Sequence, residues 1–460
     1  MIRAPRAAHP SPSPGRRLLA AAILAFALGA GPLSASAGER LPRIEGPLTQ
    51  DRAVELALEH SLRLKEAGAD ARVMASMARE AIAGFFPQVS ANLYHVQQNM
   101  SPNIYTSAGG TMATNFQLFQ SYRNQDANFT VMYPIFSGGK TYYGYKAAAA
   151  RAESGRIMLE GSRVEVAMQA RLDYLTALRE AENVRVTSEL LRQAEERLRV
   201  ARELFEAGRT ARVTVLREEA ERANMVQMNT MAQNNAALAV IALKTTLGVA
   251  LDSPIEPAER LEFRPLRVDL EEGVRTATAL HPEYLAAGKQ ADAAGAEVRS
   301  AWGSYLPQVS LAFMYDWNRS AARGESFGPT ADGYSAGVVL TLPLFDGLMR
   351  ENAIVTARAR REKAQQAAAL IRQRIAKEVH QAALMLATAE KNVETSRRGL
   401  EYAEEEYRIQ VERFESGRGI QVELLDAGAA LARARFNVVA ALSDHASATA
   451  MWLKATGRVR

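Results

Sequence analysis

The 460-residue chain contains no cysteine. That absence excludes disulfides, thiolate metal sites and cysteine nucleophiles, and also a lipid anchor on an N-terminal cysteine. Long apolar runs are missing too: AALAVIAL at 236–243 comes closest, far short of the roughly 18 residues that a membrane helix needs. Entry into a membrane would then require a β-barrel, the other structure that satisfies every backbone group in lipid. Histidine is scarce and dispersed (His9, His60, His95, His281, His380, His445), without HExxH or paired spacing, so no metal site is expected. Such scatter gives no Ser-His-Asp grouping either. Gly139-Lys140-Thr141 resembles the end of a P-loop, but Pro134 stands where the first glycine belongs and the phosphate nest cannot form. The sequence therefore predicts neither an enzyme nor a cofactor.

Acidic residues are absent from the first 37 positions, which hold Arg3, Arg6, Arg16 and Arg17. An apolar stretch from Leu18 to Ala30 follows, then Ala35-Ser36-Ala37, the small-residue pattern of a signal-peptidase site. Cleavage after Ala37 would remove four positive charges and take the formal net charge from +5 to +1, so no basic footprint for nucleic acid remains. Gly38, not cysteine, would then be the first mature residue.

What is present is a repeat. FFPQVSANLY at 85–94 is echoed by YLPQVSLAFMY at 305–315, MYPIFSGG at 132–139 by TLPLFDGL at 341–348, and LFEAGR at 204–209 by RFESGR at 413–418. Pro134 to Gly208 and Pro343 to Gly417 span the same 74 residues, which keeps the landmarks in register. After the signal segment 1–37, the chain divides into one copy at 38–250 and a second at 251–460. Each copy opens with a helical segment (about 48–84, then 268–304) that stops at Pro87 or Pro307. Alternation takes over: Val309, Leu311, Phe313, Tyr315 and Trp317 face one way, Ser310, Ala312, Met314 and Asp316 the other. Ala127, Phe129, Val131, Tyr133 and Ile135 oppose Asn128, Thr130 and Met132; a third strand spans 334–344, and a fourth, at 88–97, alternates less cleanly. Period-two patterning over about 9–11 residues is the signature of transmembrane β-strands. Polar, Gly-rich stretches at 98–124 and 319–332 read as exposed loops. About two-thirds of the aromatic residues lie in 85–145 and 302–345, where a membrane girdle would place them.

From about 139 to 206, and again from 348 to 415, no proline interrupts the chain, and each helix would be roughly 100 Å long. Leu190, Ala194, Leu198, Ala201 and Phe205, and Leu400, Tyr407, Val411 and Phe414, form coiled-coil seams. Each run ends at a glycine, Gly208 or Gly417, and a second helix returns (about 211–247 and 419–456). The fold class is mainly helical with membrane β: two long coiled-coil hairpins and four β-strands per chain. Four strands cannot close a barrel, so two, three or four protomers must supply 8, 12 or 16. The helices exceed a bilayer in length and must project into the periplasm.

This plan resembles the TolC family of outer-membrane efflux and type I secretion channels. The likeness rests on PQVS at 87–90 and 307–310, YPIFSGG at 133–139, LPLFDG at 342–347 and FESGRGIQVELLDA at 414–427. It implies a homotrimer with a 12-stranded barrel, a periplasmic α-helical tunnel, and docking to a periplasmic adaptor of an inner-membrane transporter. Glu423 and Asp426, three apart, share one helix face; the resemblance implies that they ring the periplasmic entrance and select cations. It also implies adaptor docking at Ala207-Gly208-Arg209 and Ser416-Gly417-Arg418. Arginine at both tips departs from the aliphatic or hydroxyl residues of family examples and suggests acidic or carbonyl groups on the adaptor. Thr214 stands where family members can carry an aspartate that latches the gate. Pro87, Pro134, Pro307 and Pro343 are expected to mark the junction of barrel and tunnel. The competing reading is a periplasmic coiled-coil adaptor or scaffold outside the membrane, which would need no aromatic girdle.

Overall fold

The computed structural model describes residues 41–99, 121–322, 325–416 and 418–458. The expected signal segment, the centre of the 98–124 loop and Gly417 lie outside the described residues. Within the unit Arg43–Arg460, the first half runs β1 (Gly46–Leu48), α1 (Gln50–His60), α2 (Leu62–Ala83), β2 (Gln88–Asn99), β3 (Ser121–Phe136), α3 (Lys140–Glu206) and α4 (Arg212–Leu247). The second half repeats that order with β4 (Ile255–Pro257), α5 (Leu270–Leu280), α6 (Pro282–Trp302), β5 (Gln308–Ala322), β6 (Ala331–Thr341), α7 (Met349–Glu415) and α8 (Gln421–Ala455). Both α3 and α7 are 67 residues long, within a residue of their sequence-predicted ends. No described helix is long and apolar enough to cross a membrane.

The segments expected as single helices at 48–84 and 268–304 are each broken in two. Pro282 has no N–H and holds His281 extended, at φ −66° and ψ 119°. Ser61 makes the same break at φ −56° and ψ 122° without a proline. There Gly248, at φ +68°, closes against the break, and a Cβ on it would stand 2.7 Å from the His60 carbonyl oxygen. Thr49 and Asp269 cap the two broken helices by accepting from the amides of Arg52 and Glu272.

Strands β2-β3-β5-β6 form one antiparallel sheet in that order. β3 and β5 run further than their patterns predicted, so parts of the expected loops are strand. Apolar alternation ends where both faces become polar, but the backbone ladder continues. Two further elements carry no readable pattern at three residues each: β1 and β4 pair in parallel and tie the halves together. Tyr174 of α3 clamps that pair, donating from its hydroxyl to the Leu48 carbonyl at 2.9 Å and accepting from the Glu259 amide at 3.3 Å. It sits in a core with Leu48, Leu178, Leu243 and Leu247. A second core joins Ala277 of α5, Ile375, Val379 and Leu386 of α7, and Trp452 of α8.

Candidate functional site

The pleat sorts the sheet into two chemically distinct faces. Register places Leu93, Ala127, Trp317 and Asp332 in one row, with Ala91, Phe129, Tyr315 and Tyr334 next, then Val89, Val131, Phe313 and Ala336. Leu311 beside Val338 and Val309 beside Leu340 complete the apolar face. The opposite face carries Asn92, Asn128, Asp316 and Gly333, then Ser90, Thr130, Met314 and Ser335. Asn92 donates to Asn128 at 2.8 Å across that polar face. Such apolar-out, polar-in alternation suits a barrel wall between lipid and a wet lumen. The sheet order leaves β2 and β6 as edge strands, each with one side unpaired among the described residues.

The four prolines lie at the helix-proximal end of this sheet, in unequal roles. Pro87 and Pro307 each precede a strand by one residue, and Pro343 follows β6 by two. Pro134 does not end its strand: it lies inside β3, where the register to β5 shifts between Pro134 and Phe136. A bulge tolerates a residue without an amide donor.

At the far end of the helices the hairpins turn tightly. Gly208 adopts φ +70°, and the Arg209 amide closes the turn on the Leu204 carbonyl at 2.8 Å. In the second hairpin the Arg418 amide reaches the Arg413 carbonyl at 2.9 Å. Arg209 and Arg418 are exposed, with Val213, Leu216, Ile420 and Val422 exposed around them. Of the first predicted seam, Leu190, Ala194, Leu198 and Ala201 are buried and Phe205 is exposed; the second is half-buried.

Glu423 and Asp426 occupy the first two turns of α8 on one side, while Leu424, Ala427 and Leu431 are buried. Their surroundings differ. Glu423 stands 3.2 Å from an Arg413 guanidinium nitrogen across the hairpin, whereas Asp426 is exposed without an ion-pair partner among the described residues.

A buried polar cluster just behind the tips went unread in the sequence. Glu218 of α4 is 2 % exposed. Its carboxylate meets Arg197 Nε of α3 at 3.2 Å and accepts from Gln421 Nε2 of α8 at 3.1 Å. Gln421 Nε2 also donates to the Thr214 carbonyl at 3.1 Å, and Arg197 donates to the Tyr407 hydroxyl of α7 at 3.2 Å. One connected cluster therefore joins all four helices of the two hairpins. Thr214 enters it through its backbone, which needs no aspartate. Tyr407, read as a seam position, uses its polar end here. The charged ladders nearby are different: Arg192, Arg199 and Arg408 donate to Glu189, Glu196 and Glu405 on the same helices and hold those carboxyls below their usual range. They are solvated helix pairs.

Comparison with known proteins meets this geometry. The family model described as outer membrane efflux protein matches residues 53–249 and 274–458. Protein CyaE of Bordetella pertussis is 27% identical over 389 residues, covering 82% of this chain and 77% of its own. The outer membrane efflux protein BepC of Brucella suis is 22% identical over 411 residues, covering 88% and 85%. The crystal structure of the Campylobacter jejuni CmeC outer membrane channel superimposes with a TM-score of 0.76 at 16% identity, over 89% of this chain and 85% of that one.

Proposed function

Because this chain belongs to the outer membrane efflux protein family, and is thus an efflux or secretion channel rather than a soluble adaptor, we propose that it works as a passive homotrimeric exit duct, gated at its periplasmic end. The observation that carries the trimer is the two-faced sheet with both edges open. An open edge in lipid leaves backbone groups unpaired at several kcal/mol each, by an order-of-magnitude estimate, and identical neighbours remove it. Three copies supply twelve strands, an even number as such barrels use. The helices, roughly 100 Å long, then continue the pore into the periplasm. We place the chain in a tripartite pump or type I secretion system, exported by a signal cut between Ala37 and Gly38. It performs no chemistry on its cargo. An adaptor of an inner-membrane transporter docks at Gly208, Arg209, Gly417 and Arg418, where the exposed aliphatic residues and arginines offer mixed contacts. Native mass spectrometry of the mature protein in detergent should give a trimer that conducts in planar bilayers. A stable monomer with intact β-structure sinks the reading.

The same reading makes Asp426 and Glu423 the entrance charges, six carboxylates in a trimer. Two carboxylates about 6 Å apart repel by about 3 kcal/mol at an effective dielectric of 20, so the ring attracts cations. Asp426, with no ion-pair partner among the described residues, should contribute more than Glu423, which Arg413 neutralises. Asp426→Asn is expected to lower cation preference and block by multivalent cations, and Glu423→Gln to do so less. The exposed Glu401 and Glu404, further up α7, serve as controls. Wild-type selectivity in the Asp426→Asn, Glu423→Gln double variant would return both residues to ordinary solvated charge.

A further inference from the structure

The apolar face of the sheet ends, away from the helices, in a basic row. Trp317 is its last large apolar residue on β5, and Arg319 follows two residues later on the same face. Register sets Arg319 beside Gln125 and Gln125 beside His95, and puts Arg123 one step higher on β3. Arg319 Nε donates to Gln125 Oε1 at 2.7 Å, and Gln125 Nε2 lies 3.1 Å from His95 Nδ1. Residues 325–327, past β5, lie over this row. Arg123 donates to the Glu325 carbonyl at 2.6 Å, and Phe327 lies against both guanidiniums, 5.1 Å from Arg123 and 4.6 Å from Arg319. Trp317 flanks Arg319 at 5.4 Å.

This is an unusual place for two arginines. Among the described residues neither forms an ion pair and the buried Nε of Arg123 finds no hydrogen-bond partner. Asp332, the acid on the same face, is engaged by the Tyr315 hydroxyl at 3.0 Å. Asp126 and Asp316 belong to the opposite, polar face. Aromatic rings lie on the flat faces of the guanidiniums; with Arg319 Nε and Arg123 Nη2 already donating and Arg123 Nε buried, their remaining Nη groups are left to hold a phosphate. Depth agrees. From Val309 to Trp317 the strand rises roughly 26 Å, and a tilt of about 40° leaves roughly 20 Å along the membrane normal. Arg319 and Arg123 then lie at the edge of a hydrocarbon band about 25 Å tall.

We propose that Arg123 and Arg319 hold the phosphate headgroup of an outer-leaflet lipid against the outside of the barrel, with its acyl chains on the apolar face below. This rests on the sheet being a membrane barrel wall whose helix-free end is extracellular. The chemistry is that of a phosphorylated lipid rather than free phosphate, because the anion site is continuous with the apolar band.

The test uses the full mature oligomer in detergent, with native mass spectrometry reading retained lipid. Bisphosphorylated lipid A is expected to be retained, and the same lipid stripped of both phosphates to be retained about tenfold less. Arg123→Gln with Arg319→Gln should give the same tenfold loss, and Lys at both positions a partial one, with oligomer mass and conductance unchanged. Inorganic phosphate should not displace the bound lipid. Equal retention of the phosphate-free lipid by the unmutated protein overturns the proposal without relying on any variant, as does displacement by inorganic phosphate. A conducting oligomer that ignores lipid phosphate refutes this site alone. A protein that never forms conducting oligomers refutes the channel reading and takes the site with it.

Discussion

Replacing Glu218 by alanine is expected to open the channel: in planar bilayers the variant should show several-fold larger or more frequent conductance steps than the wild type. Glu218 is buried and meets Arg197 and Gln421 from two other helices. Removing one partner of a buried ion pair leaves an uncompensated charge, at about 3–5 kcal/mol. The chain escapes that cost most readily by letting the tips separate, so that water reaches Arg197. The exposed pairs Arg202–Glu219 and Arg222–Glu195 also bridge α3 and α4, at 2.7 and 3.3 Å. Surface pairs of this kind contribute about 0–1 kcal/mol, so Glu219→Ala and Glu195→Ala should leave conductance near the wild-type value. Arg197→Met with Glu218→Met removes both charges and fills the space, and should return conductance toward the wild-type value. Unchanged conductance in an intact Glu218→Ala trimer would reduce the cluster to packing with no part in the gate.

The second large effect separates the faces of the sheet. Phe313 and Met314 are neighbours in β5 but point to opposite sides, Phe313 beside Val131 and Ala336, Met314 beside Thr130 and Ser335. Arginine facing lipid near the bilayer midplane costs about 2–4 kcal/mol, and the proposed trimer would bear it three times. Phe313→Arg should therefore abolish the oligomer and its recovery from outer membranes. Met314→Arg should assemble and shift ion preference toward anions. The reverse outcome, with Met314→Arg lost and Phe313→Arg assembled, would mean that lumen and lipid faces have been exchanged.

How much of this was legible depends on the range over which each signal acts. Prolines and glycines act on their own residue and the one before it. The ends of α3 and α7, the turn at Gly208 and the strand starts after Pro87 and Pro307 could accordingly be read to within a residue or two. The break at His281 carried such a signal in Pro282, which the helical reading ran through. The break at Ser61 had none of its own. Yet Ser61 precedes His281 by the same 220 residues that separate Pro87 from Pro307 and Thr49 from Asp269. The repeat could have carried the proline's message into the first copy. Pro134 shows a local signal overruled by its strand neighbour: the alternation at 127–135 runs through it, and a bulge accommodates it.

By itself, then, the amino-acid sequence determined the long elements and their faces: a period of two for the strands, of 3.6 for the helices, and a halt at most places where the backbone could not continue. Periodicity states which side of an element a residue occupies, not what it meets there. Glu218 is one glutamate among many along α3 and α4, and only the meeting of four helices around it excludes water and supplies Arg197 and Gln421. Arg123 and Arg319 likewise lie 196 residues apart in the chain. Antiparallel register between β3 and β5 brings them onto the same rim, because ladder hydrogen bonds can be satisfied between distant segments as well as near ones. Contacts of that kind belong to packing, where free energy depends on neighbours that no local pattern specifies.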